Sequence, residues 1–323
     1  MATSSALLTP AANAAVPKRR FGGDEVAHAI TFFFAAAIIA ITLGLVWELW
    51  LHSSPAKEKF GFGFLASRLW NPVTDQFGAL PFVYGTVITS ALALLISVPL
   101  GVGAAIYLSE LAQPKVSNVL TFLVELLAAV PSVIFGLLAI FTLIPLMRDY
   151  VAPALQKVLG FTPLFSGRIY GVGYLTAALI LGVMTFPFII SVSREALMAV
   201  PREQREAALA LGATKWESTA HAVLPFARLG IIGSVFLALA RALGETMAVT
   251  MVIGNDPSIH ASLFAPGYTI AAVIANEFTE ATGDVYLSAL VELGLVLFAL
   301  TMVINGLAQA MIVLTTRKGN RKA

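Results

Sequence analysis

The stretch that decides the fold is residues 194–228, REALMAVPREQREAALALGATKWESTAHAVLPFAR, a polar interval between two long apolar runs. Its first half, from Glu203 to Ala210, is rich in strong helix formers, so we predict a short helix there. Gly212 can adopt the positive φ that ends such a helix, and a second short helix can run from Thr214 to Val223. Pro225 suits the first turn of the next helix, because that position needs no amide donor. The interval therefore predicts a two-helix knob between two membrane spans.

The composition places this interval in a membrane protein. Of the 323 residues, 58% are hydrophobic and 12% are charged, whereas soluble domains average about 45–50% and 25%. Six stretches reach the length of about 20 apolar residues that a helix needs to cross a bilayer. They are approximately 28–51, 82–108, 117–145, 172–193, 229–254 and 286–314. The predicted fold class is an all-α integral membrane protein of six transmembrane helices, with the 194–228 loop between helices 4 and 5.

The charge distribution predicts the orientation. With both termini inside, the cytoplasmic segments hold thirteen of the 20 Lys and Arg residues, as the positive-inside rule requires. The 194–228 loop then faces the cytoplasm. We expect a disordered cytoplasmic tail over residues 1–26, a transmembrane domain over 27–316, and a basic cytoplasmic tail over 317–323.

Several classes of function are excluded. Cysteine is absent, so there are no disulfides or thiolate metal sites. No Gly-Lys dipeptide occurs, so the chain has no Walker A loop and does not hydrolyse ATP itself. The four His residues are scattered and no nucleophile stands with a base, which disfavours an enzyme and a metal site. The net charge of +2 gives no nucleic-acid signature.

The fifth predicted span contains the run RALGETMAV, from Arg241 to Val249. Charged residues inside a membrane are costly and normally face a bundle interior, a partner or a water-filled path. Arg241 and Glu245 are four residues apart, so on one continuous helix they would share a face and could pair. Two interpretations remain open: either the pair only locks helices together, or Arg241 is a mid-membrane cation for an anion in transit. Small residues at four-residue steps, Gly230, Ser234, Ala238 and Ala242, predict close packing of another helix.

An Arg fork matches a tetrahedral oxyanion. A bound group that carries its own proton could donate a hydrogen bond to a glutamate, whereas sulfate would be repelled. Glu125 in the third predicted span and Glu292 in the sixth are further carboxylates in apolar surroundings. Each could line the path, pair with Arg241, or be protonated and structural.

The polar interval resembles the EAA loop of bacterial ABC importer permeases, in which Glu-Ala-Ala (here Glu206, Ala207 and Ala208) precedes Gly212 and a Leu-Pro ending. Ala222 stands where that family usually has Ile. Together with RALGETMAV and the run VPSVIFGL, from Val130 to Leu137, the loop makes the chain similar to the C-type permease subunit of the Pst phosphate importers, from about residue 25 to 316.

That resemblance implies a location in the plasma (inner) membrane and a heterodimer with an A-type permease subunit. It also implies two ATPase subunits that bind ATP and Mg, and an external phosphate-binding protein. It also assigns Arg241 and Glu245 to the transport path and implies no cofactor in this chain. Two alternatives remain open. One is an ABC permease for sulfate or molybdate. The other is an ion-coupled secondary transporter with Glu125, Glu245 and Glu292 as proton sites, although the two halves show no obvious self-similarity of the kind common in such folds.

Overall fold

The computed structural model describes the backbone of residues 23–320 and the side chains of residues 25–310. Residues 1–22 of the predicted N-terminal tail and residues 321–323 of the predicted basic tail lie outside the described residues. The described chain is helical, and its α-helices are α1 Gly23–His52, α2 Ser54–Phe60, α3 Gly63–Ala66, α4 Leu80–Ile106, α5 Pro114–Ala128, α6 Ser132–Leu138, α7 Ile144–Leu146, α8 Ala152–Leu159, α9 Tyr174–Met198, α10 Arg202–Ala210, α11 Lys215–Ser218, α12 Leu224–Leu243, α13 Met247–Ile253, α14 Ile270–Glu277 and α15 Asp284–Asn320.

Four π-helical turns lie at the ends of these helices or between them. They span Tyr107–Leu111, Ala139–Leu143, Met147–Val151 and Thr219–Val223. A π turn closes a wider hydrogen-bonded ring than an α turn, and such turns are frequent at functional sites. Of these, Thr219–Val223 lies within the 194–228 interval, and Tyr107–Leu111 contacts that interval through Glu110.

Among the described residues, six helical stretches are long and apolar enough to cross a membrane, which confirms the predicted fold class. They are Glu25–His52, Leu80–Leu111, Ser132–Leu159, Tyr174–Met198, Lys215–Leu243 and Asp284–Ala310.

Two of the six predicted stretches are not continuous helices. The stretch 117–145 is not one helix, because the chain leaves the helical conformation at Ala129–Pro131 and separates α5 from α6. The residue before a proline is pushed out of the α region, so Pro131 gives the physical reason. The stretch 229–254 is likewise interrupted, between Leu243 and Met247.

The described part of the chain divides into two compact units, one that ends at Glu48 and one that begins at Leu49. The second unit holds the packed core, in which α4, α9 and α12 lie side by side. Thr185 on α9 donates a hydrogen bond to Ser97 Oγ on α4 at 3.1 Å, and the hydroxyls of Ser193 on α9 and Ser234 on α12 lie 2.7 Å apart. Ser234, Ala238 and Ala242 are buried, so the predicted stripe of small residues does allow close packing.

An aromatic cluster joins the segment after α3 to α14 and α15. The rings of Phe77 and Tyr286 stack with their centroids 5.1 Å apart, and Trp70 lies edge-on to Phe77 at 4.8 Å. Glu277, the last residue of α14, accepts hydrogen bonds from Trp70 Nε1 at 2.8 Å and from Tyr286 Oη at 2.6 Å. These contacts hold the 53–82 segment against the start of α15.

Candidate functional site

The first part of the site is the helix α10, which carries Glu206, Ala207 and Ala208. It begins directly after Pro201 and ends in a left-handed residue, Gly212, with φ +87°. The amide of Gly212 donates to Leu209 O at 2.9 Å and that of Ala213 to Ala208 O at 3.2 Å. These two hydrogen bonds form a Schellman motif, which satisfies the last carbonyls of the helix. The predicted helix and its glycine stop are therefore confirmed.

The second helix of the knob is capped by its own sequence. Thr214 Oγ1 accepts from the Glu217 amide at 3.3 Å, and the Glu217 carboxylate accepts from the Thr214 amide at 2.8 Å, a reciprocal capping box. After α11 the chain passes through the π turn Thr219–Val223 directly into α12, with Pro225 in its first turn. The second helix of the prediction is thus continuous with the fifth apolar helix.

The knob presents apolar side chains to solvent. Glu206 and Ala207 are exposed and Ala208 is half-buried. Leu211 is 90% exposed and Trp216 is 56% exposed. These two large apolar side chains therefore lie outside the packed core of the described chain.

Arg205, immediately before Glu206, was not identified as a site residue from the sequence. Its guanidinium forms a two-pronged ion pair with Glu110, in the π turn at the end of α4, at 2.9 and 3.1 Å. Because 95 positions separate the two residues along the chain, sequence spacing carries no signal of their contact. The sequence showed only that Glu110 follows an apolar run and that Arg205 lies in the loop.

The second part of the site is the interruption between α12 and α13. We expected Arg241 and Glu245 to share the face of one helix, and this was wrong. α12 ends at Leu243, followed by Gly244, and Glu245 lies in the non-helical segment. Arg241 is exposed in the last turn of α12, and Glu245 is half-buried. In the described part of the chain no ion pair joins the two side chains. Glu245 Oε1 instead lies 3.4 Å from the amide of Ala248, in the first turn of α13.

The interrupted helices pack against each other. A Cβ on Gly136 of α6 would lie 2.4 Å from Met251 Sδ and 3.2 Å from Ala248 Cα of α13, so the two helices approach closely at this glycine. Helix breaks within a membrane occur where neighbouring protein or a water-filled cavity satisfies the backbone. The break at Ala129–Pro131 precedes α6 and the break at Gly244–Thr246 precedes α13, so the contact brings the RALGETMAV and VPSVIFGL runs together.

The remaining predicted path residues lie apart from this contact. Glu125 is exposed on α5, before the interruption at Ala129–Pro131. The prediction that it lies inside one continuous third span was therefore wrong. Glu292 lies on α15 and is 9% exposed, among the buried Ala289, Leu290 and Leu293. Its Oε2 atom has no hydrogen-bond partner among the described residues. The described residues contain no group of three or more side chains placed to hold a metal ion.

Comparison with known proteins identifies the family. Residues 97–313 match the model of the binding-protein-dependent transport system inner membrane component. The chain is 48% identical to the phosphate transport system permease protein PstC of Mesorhizobium japonicum, over 91% of each chain. It is 42% identical to the protein of the same name from Pasteurella multocida, over 90% of this chain and 92% of that one.

Solved structures agree on the fold. A crystal structure of a bacterial ABC transporter involved in the import of the acidic polysaccharide alginate matches with a TM-score of 0.54 at 16% identity, over 90% of this chain and 99% of that chain. An inward-facing MetNI methionine ABC transporter matches with a TM-score of 0.50 at 17% identity, over 76% and 99%. With six apolar helices and this family match, the chain is a multi-pass membrane protein, and it belongs to the family of binding-protein-dependent transport system inner membrane components.

Proposed function

We propose that this chain is the C-type permease subunit of an ATP-driven importer of inorganic phosphate, with both termini in the cytoplasm. The observation that carries the proposal is the 48% identity to a phosphate permease across 91% of both chains. The chain itself makes and breaks no bond. It supplies half of a translocation path, and an A-type permease subunit supplies the other half.

The knob formed by α10 and α11 is the surface for the partner ATPases. Glu206, Ala207, Ala208 and Gly212 shape it, and Leu211 and Trp216 stand exposed on it. Burying a leucine side chain contributes about 1.5–3 kcal/mol, so seating these groups in a cleft of an ATPase subunit is favourable. ATP and Mg are bound by the two ATPase subunits, whose closure moves the knob and alternately opens the path outward and inward.

Arg241 is the candidate anion contact. It is exposed at the end of α12, beside the interruption that holds Glu245, where a second permease subunit can enclose it. A guanidinium fork binds two oxygens of a tetrahedral oxyanion. The Glu245 carboxylate can accept a hydrogen bond from the P–OH group of hydrogen phosphate, a donor that sulfate lacks. Glu125 and Glu292 are secondary candidates for the path, since neither lies beside Arg241 in sequence or shares its helix. An external phosphate-binding protein delivers the substrate.

The test is uptake of radiolabelled phosphate by vesicles that contain the complete reconstituted complex. We expect uptake to need ATP, to persist when an ionophore removes the proton gradient, and to resist competition by sulfate and molybdate. Competition by sulfate or molybdate as strong as by phosphate would assign another oxyanion. Uptake that stops with the ionophore and continues without ATP would establish the secondary-transporter alternative.

Two substitutions then test the site. Arg241→Ala is expected to assemble but to abolish phosphate uptake, whereas Arg228→Ala, which removes an exposed arginine from the other end of the same helix, retains it. Glu206→Lys is expected to lose the ATPase subunits on purification. Normal uptake by an assembled Arg241→Ala complex would make that residue structural and place the path elsewhere.

A further inference from the structure

Arg205 joins three separate parts of the chain through one guanidinium group. Nε and Nη2 donate to the two carboxylate oxygens of Glu110, at 3.1 and 2.9 Å. Nη2 also donates to Leu197 O, in the last turn of α9, at 2.8 Å, and Nη1 donates to Val200 O in the turn that follows. The side chain therefore connects α10 to the ends of both α4 and α9.

The chemistry of each contact favours a firm connection. The two-pronged arginine–carboxylate pair is stronger and more directional than a single hydrogen bond. The carbonyls at a helix end lack partners within the helix and carry partial negative charge, so a cation there is stabilised. The hydrogen bond to Glu110 raises the pKa of Arg205 above its ordinary value, which keeps the group charged at any working pH.

The pair is also largely removed from solvent. The side chains of Arg205 and Glu110 are 22% and 10% exposed. A buried apolar cluster that includes Ala105 of α4, Leu197 of α9 and Val223 lies in the same region. Partial burial weakens the competition of water for these hydrogen bonds, and loss of one partner leaves the other poorly solvated.

The connection matters because α10 and α4 are far apart in sequence. α10 follows α9 through Ala199–Pro201 and continues toward α12 through α11 and the π turn Thr219–Val223, so it can move those helices through covalent bonds. α4 has no such bond to the knob. Displacement of α10 reaches α4 only through non-covalent contacts, and Glu110 sits in the π turn that terminates α4.

We propose that Arg205 is a positioning residue that transmits displacement of α10 to α4 and α9, and so links ATP hydrolysis by the partner subunits to opening of the path. This inference rests on the proposed function. Glu206 and its neighbours contact the ATPase on one side of α10, and Arg205 anchors the same helix to the membrane helices on the other.

The test measures phosphate taken up per ATP hydrolysed by the complete complex in vesicles, with the assembled fraction determined by co-purification. Arg205→Gln and Glu110→Gln are each expected to lower this ratio about tenfold, because each leaves one partner of a buried pair unmatched. ATP hydrolysis by the assembled complex continues. The double variant should be no worse than either single one, since both remove the same contact. Lys115→Gln, which removes an exposed cation from the first turn of α5, is the matched control and keeps the wild-type ratio.

A merely structural role would reduce the amount of complex and leave the ratio intact. The inference is overturned if the ratio in assembled Arg205→Gln or Glu110→Gln complexes equals that of wild type, or if the losses in the two single variants multiply in the double variant. Should Arg205→Gln fail to assemble, the nearly isosteric Glu110→Gln and the charge-retaining Arg205→Lys supply the same comparison, the latter with an intermediate ratio. Failure of the wild-type complex to take up phosphate would instead refute the proposed function.

Discussion

Gly85 of α4 lies against the backbone of the segment before α14, and its substitution by alanine tests this packing. A Cβ at Gly85 would lie 2.0 Å from Tyr268 O and 2.9 Å from Tyr268 C. The next residue, Thr86, confirms the close approach, since its Oγ1 accepts a hydrogen bond from the Ile270 amide at 3.0 Å. The obstacle is a carbonyl group and not the end of a flexible side chain, so the helix or the segment must move.

The magnitude follows from two opposing effects. Overpacking a well-packed site costs about 1–3 kcal/mol, and occasionally more, in the free energy of unfolding, and a rigid obstacle at 2.0 Å calls for the upper end. Replacing glycine by alanine within a helix returns about 1 kcal/mol at most. We therefore expect Gly85→Ala to destabilise the protein by about 2 kcal/mol or more. Gly103→Ala in the same helix, where a Cβ would meet nothing within 4 Å, should stabilise it by about 0.5–1 kcal/mol.

The assay is denaturant titration of the purified protein in detergent micelles, followed by tryptophan fluorescence. Trp70 is a suitable reporter because its ring lies 4.8 Å from that of Phe82, three residues before Gly85. The same chemical change at two positions of one helix cancels the propensity effect and isolates the contact. If both substitutions shift the free energy of unfolding equally and in the same direction, the close approach of α4 to Tyr268 is refuted.

Three further predictions concern the knob and the aromatic cluster. Gly212→Ala should lower the free energy of unfolding by about 1–2 kcal/mol because of the positive φ at this position alone, and it should weaken co-purification of the ATPase subunits. Gly212→Asn should be tolerated. Equal binding of the ATPase subunits by both variants and wild type would contradict this prediction. Thr214→Ala should lower the free energy of unfolding by about 1 kcal/mol and speed hydrogen exchange of the Glu217 amide about fivefold. Thr214→Ser, which keeps the hydroxyl, is the control. An unchanged exchange rate in Thr214→Ala would exclude the capping box. Tyr286→Phe removes only the hydroxyl that donates to Glu277 and should lower the free energy of unfolding by about 1.5 kcal/mol, measured by the same titration; a neutral result would mean that this hydrogen bond contributes nothing.

Local chemistry predicted the knob well. The helix-forming run before Gly212, the glycine stop and the proline at the start of α12 all appear where expected. These features depend on φ preferences and on hydrogen bonds between residues a few positions apart, which the sequence displays directly. The family resemblance was confirmed by the match over residues 97–313.

The prediction that Arg241 and Glu245 share one helix face was wrong because it assumed an unbroken helix. The i, i+4 rule holds only on an unbroken helix, and Gly244 sits between the two residues. An isolated glycine within an apolar run is common in membrane helices, so its presence alone does not reveal a break. The break is seen only in the structure, where α12 ends at Leu243 and α13 begins at Met247.

The sequence by itself determined that this chain spans a membrane with six apolar helices, which stretch forms the knob, and which family it belongs to, because length, composition and short-range motifs depend on local physical chemistry. Only the tertiary structure decided where two of the predicted spans are interrupted, and that Glu292 Oε2 is buried without a hydrogen-bond partner among the described residues. It also decided that Arg205 reaches Glu110 at 2.9 Å across 95 positions of the chain. Those features arise from the meeting of distant segments. A linear pattern of residues does not specify which helix faces which, since many packings satisfy the same hydrophobic periodicity.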